Sequence, residues 1–417
     1  MNMPMTNSTA APQLKNLRVA LFSGNYNCVR DGANQALNRL VAYLETQGVE
    51  VRVFSPTIDK PAFEPAGKLI SVPSVPFPLR GEYRLAAPLT RRNKAELKAF
   101  RPHLVHISAP DILGWTAVNW AQEHGVPVIA SVHTRFETYF SYYHLGWIAG
   151  RVRRYMRDLY NRCQQILAPT QCMADILREE GITTAIRFWG RGVDHQLFNP
   201  GRRSLDWRRA RGIADDEVVV AFVGRVVREK GLQPFVGTIQ RLKERTNGFK
   251  VLIVGDGPAL HWFSRQIPDA ICTGSLSGTE LATAFASSDI FLNPSVTETF
   301  GNVNLEAIAS GVAVVGAKAS GANSLIKDGV TGLLVPPNDG DAYAQAVETL
   351  IRNPDRRHRM GHAGALASRS YEWNSILGQV AEHYLEAVHG YQPQRVLDTQ
   401  SMPMLKALMK RAGGTGK

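Results

Sequence analysis

The stretch PSVTETFGNVNLEAIASG, Pro294 to Gly311, decides how the rest of the chain is read. Residues 290–292 (Ile-Phe-Leu) run into it as a strand, and after a loop it becomes a short helix that stops at Gly311. Glycine is the usual stop because the residue after a helix often turns left-handed. Glu298 stands on the loop and Glu306 on the helix, with Phe300-Gly301-Asn302-Val303 forming the turn between them. The first amides of a helix have no acceptor of their own, so this turn offers free N–H donors to an anion. A carboxylate on either side would grip hydroxyls. A diphosphate carried between two polyhydroxylated rings has that combination of groups.

Upstream, residues 218–223 (VVVAFV) form a fully apolar strand that enters Gly224-Arg225-Val226-Val227-Arg228-Glu229-Lys230-Gly231. Arg225 and Lys230 fall at the carboxyl end of that strand, before a helix near Leu232. A planar guanidinium and a mobile ammonium at one edge suit a diphosphate. Residues 251–254 then enter Gly255-Asp256-Gly257-Pro258, a tight turn in which Gly257 allows close approach to a flat base. Residues 270–274, 279–287, 312–316 and 332–335 continue the strand–helix alternation. Together they describe a doubly wound domain whose βα turns converge on one edge. Asp339-Gly340-Asp341 matches a pattern able to hold a divalent ion. It follows Pro-Pro-Asn and precedes a helix at Ala342, so it reads as a turn and N-cap, and no metal is expected.

The first half carries a second such unit. Residues 17–22 form a strand, residues 33–47 a helix with Ala36, Leu37, Leu40, Val41 and Leu44 on one stripe, and residues 49–54 the next strand. The intervening loop holds Gly24 and Gly32 without a GxGxxG pattern, which argues against a dinucleotide oxidoreductase. Residues 104–107, 114–124 and 126–132 follow as strand, helix and strand, the last ending on His133 at the ligand-binding edge. Residues 166–169 and 172–180 add a further strand and helix. The expected organisation is a leader (1–16), a first domain (17–198), a second domain (199–370), a helix crossing back (371–391) and a basic tail (392–417).

At 417 residues, 44% apolar and 20% charged, the chain fits two soluble domains and contains no transmembrane run. The N-terminus lacks the charged start and apolar core of a signal peptide. Four cysteines without paired spacing suggest neither a disulfide framework nor a zinc site, in keeping with a reducing cytoplasm. The net charge of +12 calls for an anionic partner or a simply basic surface. Two segments concentrate it. Residues 78–101 carry seven Lys/Arg, and residues 133–162 interleave Arg135, Arg153 and Arg154 with Tyr139, Tyr142, Tyr143 and Trp147. Aromatic rings beside arginines suit a membrane interface. No nucleic-acid motif accompanies them, and the plain alternative is a solvated helix face with its rings in the core.

With these residues in hand, the chain resembles the retaining glycosyltransferases of the GT-B fold, in the family marked by E-x7-E. Glu298 and Glu306 match that pattern, and Arg225 and Lys230 match its GRxxxEKG motif. The resemblance implies an α/β architecture of two Rossmann-like domains facing a cleft, with a nucleotide sugar as substrate and no further cofactor. It implies that Arg225 and Lys230 bind the donor diphosphate, Glu298 the transferred sugar and Glu306 the ribose. Phe300, Gly301, Asn302 and Val303 would touch sugar or phosphate, and Gly32 would approach the donor from the first domain. His133 resembles the family's active-site histidine. The 133–147 segment is most like that of members acting on membrane lipids such as diacylglycerol. That likeness implies a hexose or hexuronic acid carried on UDP in preference to GDP, a lipid acceptor, no nucleic acid, no obligate protein partner and a peripheral place on the inner face of the cytoplasmic membrane. The alternatives are a soluble or polysaccharide-precursor acceptor, a nucleotide-sugar epimerase, and a non-catalytic membrane-binding protein.

Overall fold

Short, wholly apolar strands alternating with amphipathic helices can be satisfied only by sheets covered on both faces, and this chain builds two of them. The computed structural model describes residues 14–77, 80–133 and 146–392. In the first half β1 (Arg18–Phe22), β2 (Glu50–Ser55) and β3 (Lys68–Ser71) precede the hairpin strands β4 (Ser74–Phe77) and β5 (Arg80–Ala86). They are followed by β6 (Leu104–Ile107), β7 (Val128–Ser131), β8 (Gln165–Ala168) and β9 (Ala185–Phe188). The second half supplies β10 (Val218–Val223), β11 (Phe249–Val254), β12 (Ile271–Gly274), β13 (Ile290–Asn293), β14 (Ala313–Ala317) and β15 (Gly332–Val335).

The first sheet runs β3-β2-β1-β6-β7-β8-β9 and the second β12-β11-β10-β13-β14-β15, parallel throughout. Strand order reverses beside β1 in one sheet and beside β10 in the other. A crevice opens at the carboxyl ends of such switch points, and the candidate residues fall there. The doubly wound α/β class expected from the sequence is therefore the observed one.

Each sheet separates two apolar clusters. One face of the first sheet is closed by Leu37, Leu40, Val41 and Leu44 from the helix Gly32–Thr46. The same face takes Ile376, Leu377, Val380, Ala381 and Tyr384 from the helix Trp373–His389, which lies at the end of the described chain yet packs on its beginning. The focal helix Asn302–Ala309 ends as expected, with Gly311 at φ 75°.

Three features add to what the sequence suggested. In the basic segment, β5 pairs antiparallel with β4 as a separate hairpin outside the parallel sheet, and Arg91–Phe100 is a helix with a Thr90/Asn93 capping box. The edge strands β3 and β9 escape a sequence reading because both are only partly buried and lack an apolar run. The helix Pro354–Ser368 escapes it for another reason. Its packing face is Arg357, Gly361, Gly364 and Ser368 with Met360, and a Cβ on Gly361 would lie 2.1 Å from the Gly311 carbonyl oxygen. Close backbone approach replaces an apolar stripe there. The turn and N-cap expected at Asp339-Gly340-Asp341 is observed: Asp339 accepts from the Ala342 amide at 2.9 Å, and Asp341 pairs with Arg245 at 2.6 Å and Arg241 at 3.4 Å.

Arg135, Tyr139, Tyr142 and Tyr143 lie outside the described residues, as do the expected tail from residue 393 and the leader up to residue 13. Trp147 is a position on the helix Gly146–Tyr160, on which Arg153 and Arg154 are exposed. Among the described residues no helix is long and apolar enough to cross a membrane.

Candidate active site

After β10 the chain makes a single 3-10 turn, Arg228–Lys230, and Gly231 follows at φ 75°. A Cβ on Gly231 would lie 2.9 Å from the carbonyl carbon of Pro294, so only glycine lets this turn press against the loop that follows β13. That contact brings the two motifs together. Lys230 Nζ donates to Glu298 Oε1 at 2.5 Å, with side chains 31% and 15% exposed. Thr297 Oγ1 donates to the Glu229 carbonyl at 3.1 Å and fixes the same junction. Arg225 stands exposed beside them, its Nη1 donating to Tyr83 Oη across the cleft at 3.4 Å.

Gly301 caps the helix Asn302–Ala309 in a left-handed conformation (φ 91°) with no side-chain cap. The first-turn amides thus keep their anion-binding character. Asn302 reaches the first domain here: a Cβ on Gly32 would lie 2.5 Å from Asn302 Nδ2. Gly32 has no positive φ, so its need is close approach and not turn geometry. Gly257 has a structural need of its own, because a Cβ there would lie 2.4 Å from the Val226 carbonyl oxygen. Phe300 is buried, with its ring edge-on to Tyr371 at 6.2 Å, and Gly190 of the first half lies against it.

Glu306 faces the cleft from the same helix. Burial lifts its carboxyl to about 8, and the Arg39 guanidinium of the first domain pulls it back down. Arg39 itself sits over the Trp373 ring at 5.1 Å.

His133 ends β7 opposite these groups. Thr299 Oγ1 donates to its carbonyl oxygen at 2.9 Å, tying the second-domain loop to the first. Its ring meets Arg191 Nη2 at 2.6 Å through Nδ1 and Ser131 Oγ at 2.8 Å through Nε2, and stands edge-on to Trp189 at 5.1 Å. Burial first, then the Arg191 and His106 charges, hold its pKa well below 6.5. Arg191 is buried too, and desolvation lowers it to about 10 while Asp31 opposes that shift. Asp31 caps the helix Gly32–Thr46 through the Asn34 amide at 2.8 Å. Burial raises its pKa, while the Asn34 and Ala33 amides and the Arg225 and Arg191 charges lower it.

The structure therefore brings together His133, Arg225, Lys230, Glu298, Glu306, Gly32 and the 300–303 turn. Reading the sequence missed Asp31, Arg39, Tyr83 and Arg191. The signals were the Asp-Gly helix start and the Gly190-Arg191-Gly192 triplet, an arginine flanked by glycines where two domains join.

Comparison with known proteins gives the family. Residues 30–197 match the family model described as Glycosyltransferase Family 4, and residues 204–366 the one described as Glycosyl transferases group 1. A GDP-mannose-dependent alpha-mannosyltransferase of Corynebacterium glutamicum is 31% identical, over 90% of this chain and 90% of its own. The chain belongs to glycosyltransferase family 4. Within that family it is also similar to a sulfoquinovosyl transferase of Arabidopsis thaliana (29% identical, 88% of this chain and 72% of that protein). An alpha-monoglucosyldiacylglycerol synthase of Streptococcus pneumoniae is 26% identical over 94% and 92% of the two chains. The solved sucrose-phosphate synthase of Thermosynechococcus elongatus has the same two-domain GT-B fold, with a TM-score of 0.74 at 20% identity over 90% of this chain and 100% of its own. The protein is a glycosyltransferase.

Proposed function

We propose that this family 4 enzyme transfers a sugar, with retention of configuration and without a metal, from a nucleotide diphosphate sugar to a lipid acceptor at a membrane surface. The observation that carries the reading is the Lys230–Glu298 pair at 2.5 Å, with Arg225 beside it and His133 opposite. A donor lying there would place its diphosphate on Arg225, Lys230 and the 301–303 amides, its sugar hydroxyls on Glu298 and its ribose on Glu306. Glu298 is already engaged by Lys230, so a front-face displacement is preferred to attack by a carboxylate. The bond between the anomeric carbon and phosphate oxygen breaks, and its electron pair stays on the diphosphate. That oxygen takes the acceptor hydroxyl's proton, and the acceptor oxygen bonds to the anomeric carbon from the same side. Arg225 and Lys230 offset the charge that grows on the leaving group. We place the junction of the acceptor-side and donor-side halves at residues 198–199, so that domain closure brings the two substrates together.

A lipid acceptor is supported by the names of the sulfoquinovosyl and glucosyldiacylglycerol relatives and by the surface of the first half. Val75 and Leu85 are paired across the β4–β5 hairpin and are 60% and 44% exposed, with Phe77 beside them at 43%. Exposed Arg91, Arg92, Lys94 and Lys98 follow on the next helix, and Arg151, Arg153, Arg154 and Arg157 on another. Such a surface suits anionic headgroups with an apolar edge to insert, and so a peripheral place on the membrane. UDP is the donor nucleotide in this reading. GDP-mannose is the second reading, favoured by the mannosyltransferase relatives. Incubation with a panel of UDP- and GDP-sugars and a total lipid extract, followed by mass spectrometry, separates them. Product found only in the aqueous phase would overturn the lipid acceptor.

A further inference from the structure

The cleft histidine is one end of a buried chain of polar side chains that crosses the first sheet. His133 Nε2 lies 2.8 Å from Ser131 Oγ, and the same Oγ lies 2.8 Å from His106 Nε2. His106 Nδ1 lies 2.6 Å from Tyr384 Oη. His106 and Tyr384 have no exposed surface and Ser131 has 1%. At the other end, Arg191 Nη2 lies 2.6 Å from His133 Nδ1.

The direction of each link follows from the one before. A guanidinium has donors only, so His133 Nδ1 must accept. The neutral ring then carries its proton on Nε2 and donates it to Ser131 Oγ. Ser131 Oγ, having accepted there, still has one proton to give, and His106 Nε2 at 2.8 Å is the acceptor that continues the chain, which assigns that nitrogen as the bare one. His106 therefore carries its proton on Nδ1 and donates it to Tyr384 Oη. One buried arginine thereby sets opposite tautomers on two histidines carried by the neighbouring strands β6 and β7. A proton added to either ring would turn an N–H toward another donor, and burial also holds His106 down to about 3. Trp189 walls both rings, edge-on at 5.1 Å to His133 and 5.9 Å to His106.

We infer that Ser131, His106 and Tyr384 are positioning residues that, with Arg191, lock His133 as a neutral ring of fixed tautomer and tie it to the helix Trp373–His389. The inference rests on His133 being an active-site residue, as proposed above. With both nitrogens engaged, the ring is not a base for the acceptor hydroxyl. It presents a fixed edge to the cleft and holds the backbone whose carbonyl Thr299 meets from the second domain. Tyr384 stands 278 residues after His106. The chain is completed only when that late helix seats on the first sheet, so seating of the helix and readiness of the site are one event.

The test uses the full-length protein with 15N-labelled histidine, assigned by His106 and His133 variants. Nitrogen shifts are expected to read His133 as the Nε2–H tautomer and His106 as the Nδ1–H tautomer at neutral pH. The same tautomer at both positions, or a charged ring at either, overturns the inference. A kinetic arm reads function. Ser131→Ala and His106→Leu are expected to lower kcat about ten- to hundredfold through misplacement, with KM for the nucleotide sugar within about twofold. His106→Gln, which keeps an acceptor and a donor, is expected to recover most of that loss. Failure of His106→Gln to exceed His106→Leu at equal thermal stability counts against positioning. Unchanged turnover in His133→Ala would overturn the active-site reading itself. Normal turnover in Ser131→Ala beside an impaired His133→Ala would overturn only the relay.

Discussion

Glu306→Gln is expected to become steadily more stable relative to wild type as pH rises from 5 to 8. Burial lifts the Glu306 carboxyl from 4.5 to about 8 in the folded chain. The folded pKa is therefore above the unfolded one. Between the two values the native state holds a proton that the unfolded state has released, so stability falls as pH rises through that window. At about 1.4 kcal/mol per pH unit, the full span sets a ceiling of about 5 kcal/mol. The carboxyl still meets cleft solvent, and about 2 kcal/mol is the change expected between pH 5 and pH 8. Glutamine keeps the shape and cannot titrate, so the penalty disappears in the variant. Urea unfolding of both proteins at each pH, followed in the transition of the second half, measures the difference directly. A wild-type-to-variant gap that stays constant, or moves the other way, means that Glu306 is ionised in the folded protein and refutes the burial argument. The same logic reaches function. Ribose hydroxyls donate to a carboxylate better than to a carboxylic acid. Binding of a nucleoside diphosphate at pH 7 should then release close to one proton, read by calorimetry in buffers of different ionisation heat.

Arg225→Ala and Lys230→Ala each remove a charge-assisted contact of about 1.5–3 kcal/mol to the leaving group, so kcat/KM in a donor-turnover assay should fall roughly ten- to hundredfold; near-normal turnover would sink the assignment. Gly361→Ala places a Cβ 2.1 Å from the Gly311 carbonyl oxygen. Overpacking of that kind costs about 1–3 kcal/mol, so its thermal midpoint should fall while the diphosphate site is left in place. The triple variant Val75→Asp, Phe77→Asp, Leu85→Asp should lose co-sedimentation with anionic vesicles and keep its affinity for the nucleotide donor; unchanged sedimentation would remove the hairpin from the membrane surface.

What was legible in the sequence was local. β6, β10 and β15 were read to the residue because each is a run of side chains with little polar interruption, bounded by turn residues. The motifs were legible because a strand, a loop and a helix start hold their spacing, whatever the rest of the chain does. That Lys230 meets Glu298 was not legible, since the two are 68 residues apart and join only because β13 pairs with β10. His106 shows the limit most clearly. Inside Leu-Val-His-Ile it reads as one polar interruption of an apolar strand. Its proton is directed by Arg191, in the linker after β9, and received by Tyr384, on the last described helix. A site residue can thus be recognised from its neighbours in sequence, while its protonation and orientation are imposed by residues from three distant parts of the chain. That division accounts for what was missed. The motifs proposed to touch the donor stand out in the sequence, and Arg39, Ser131 and Tyr384, which bear on the charge and position of Glu306 and His133, became visible only when the sheets assembled.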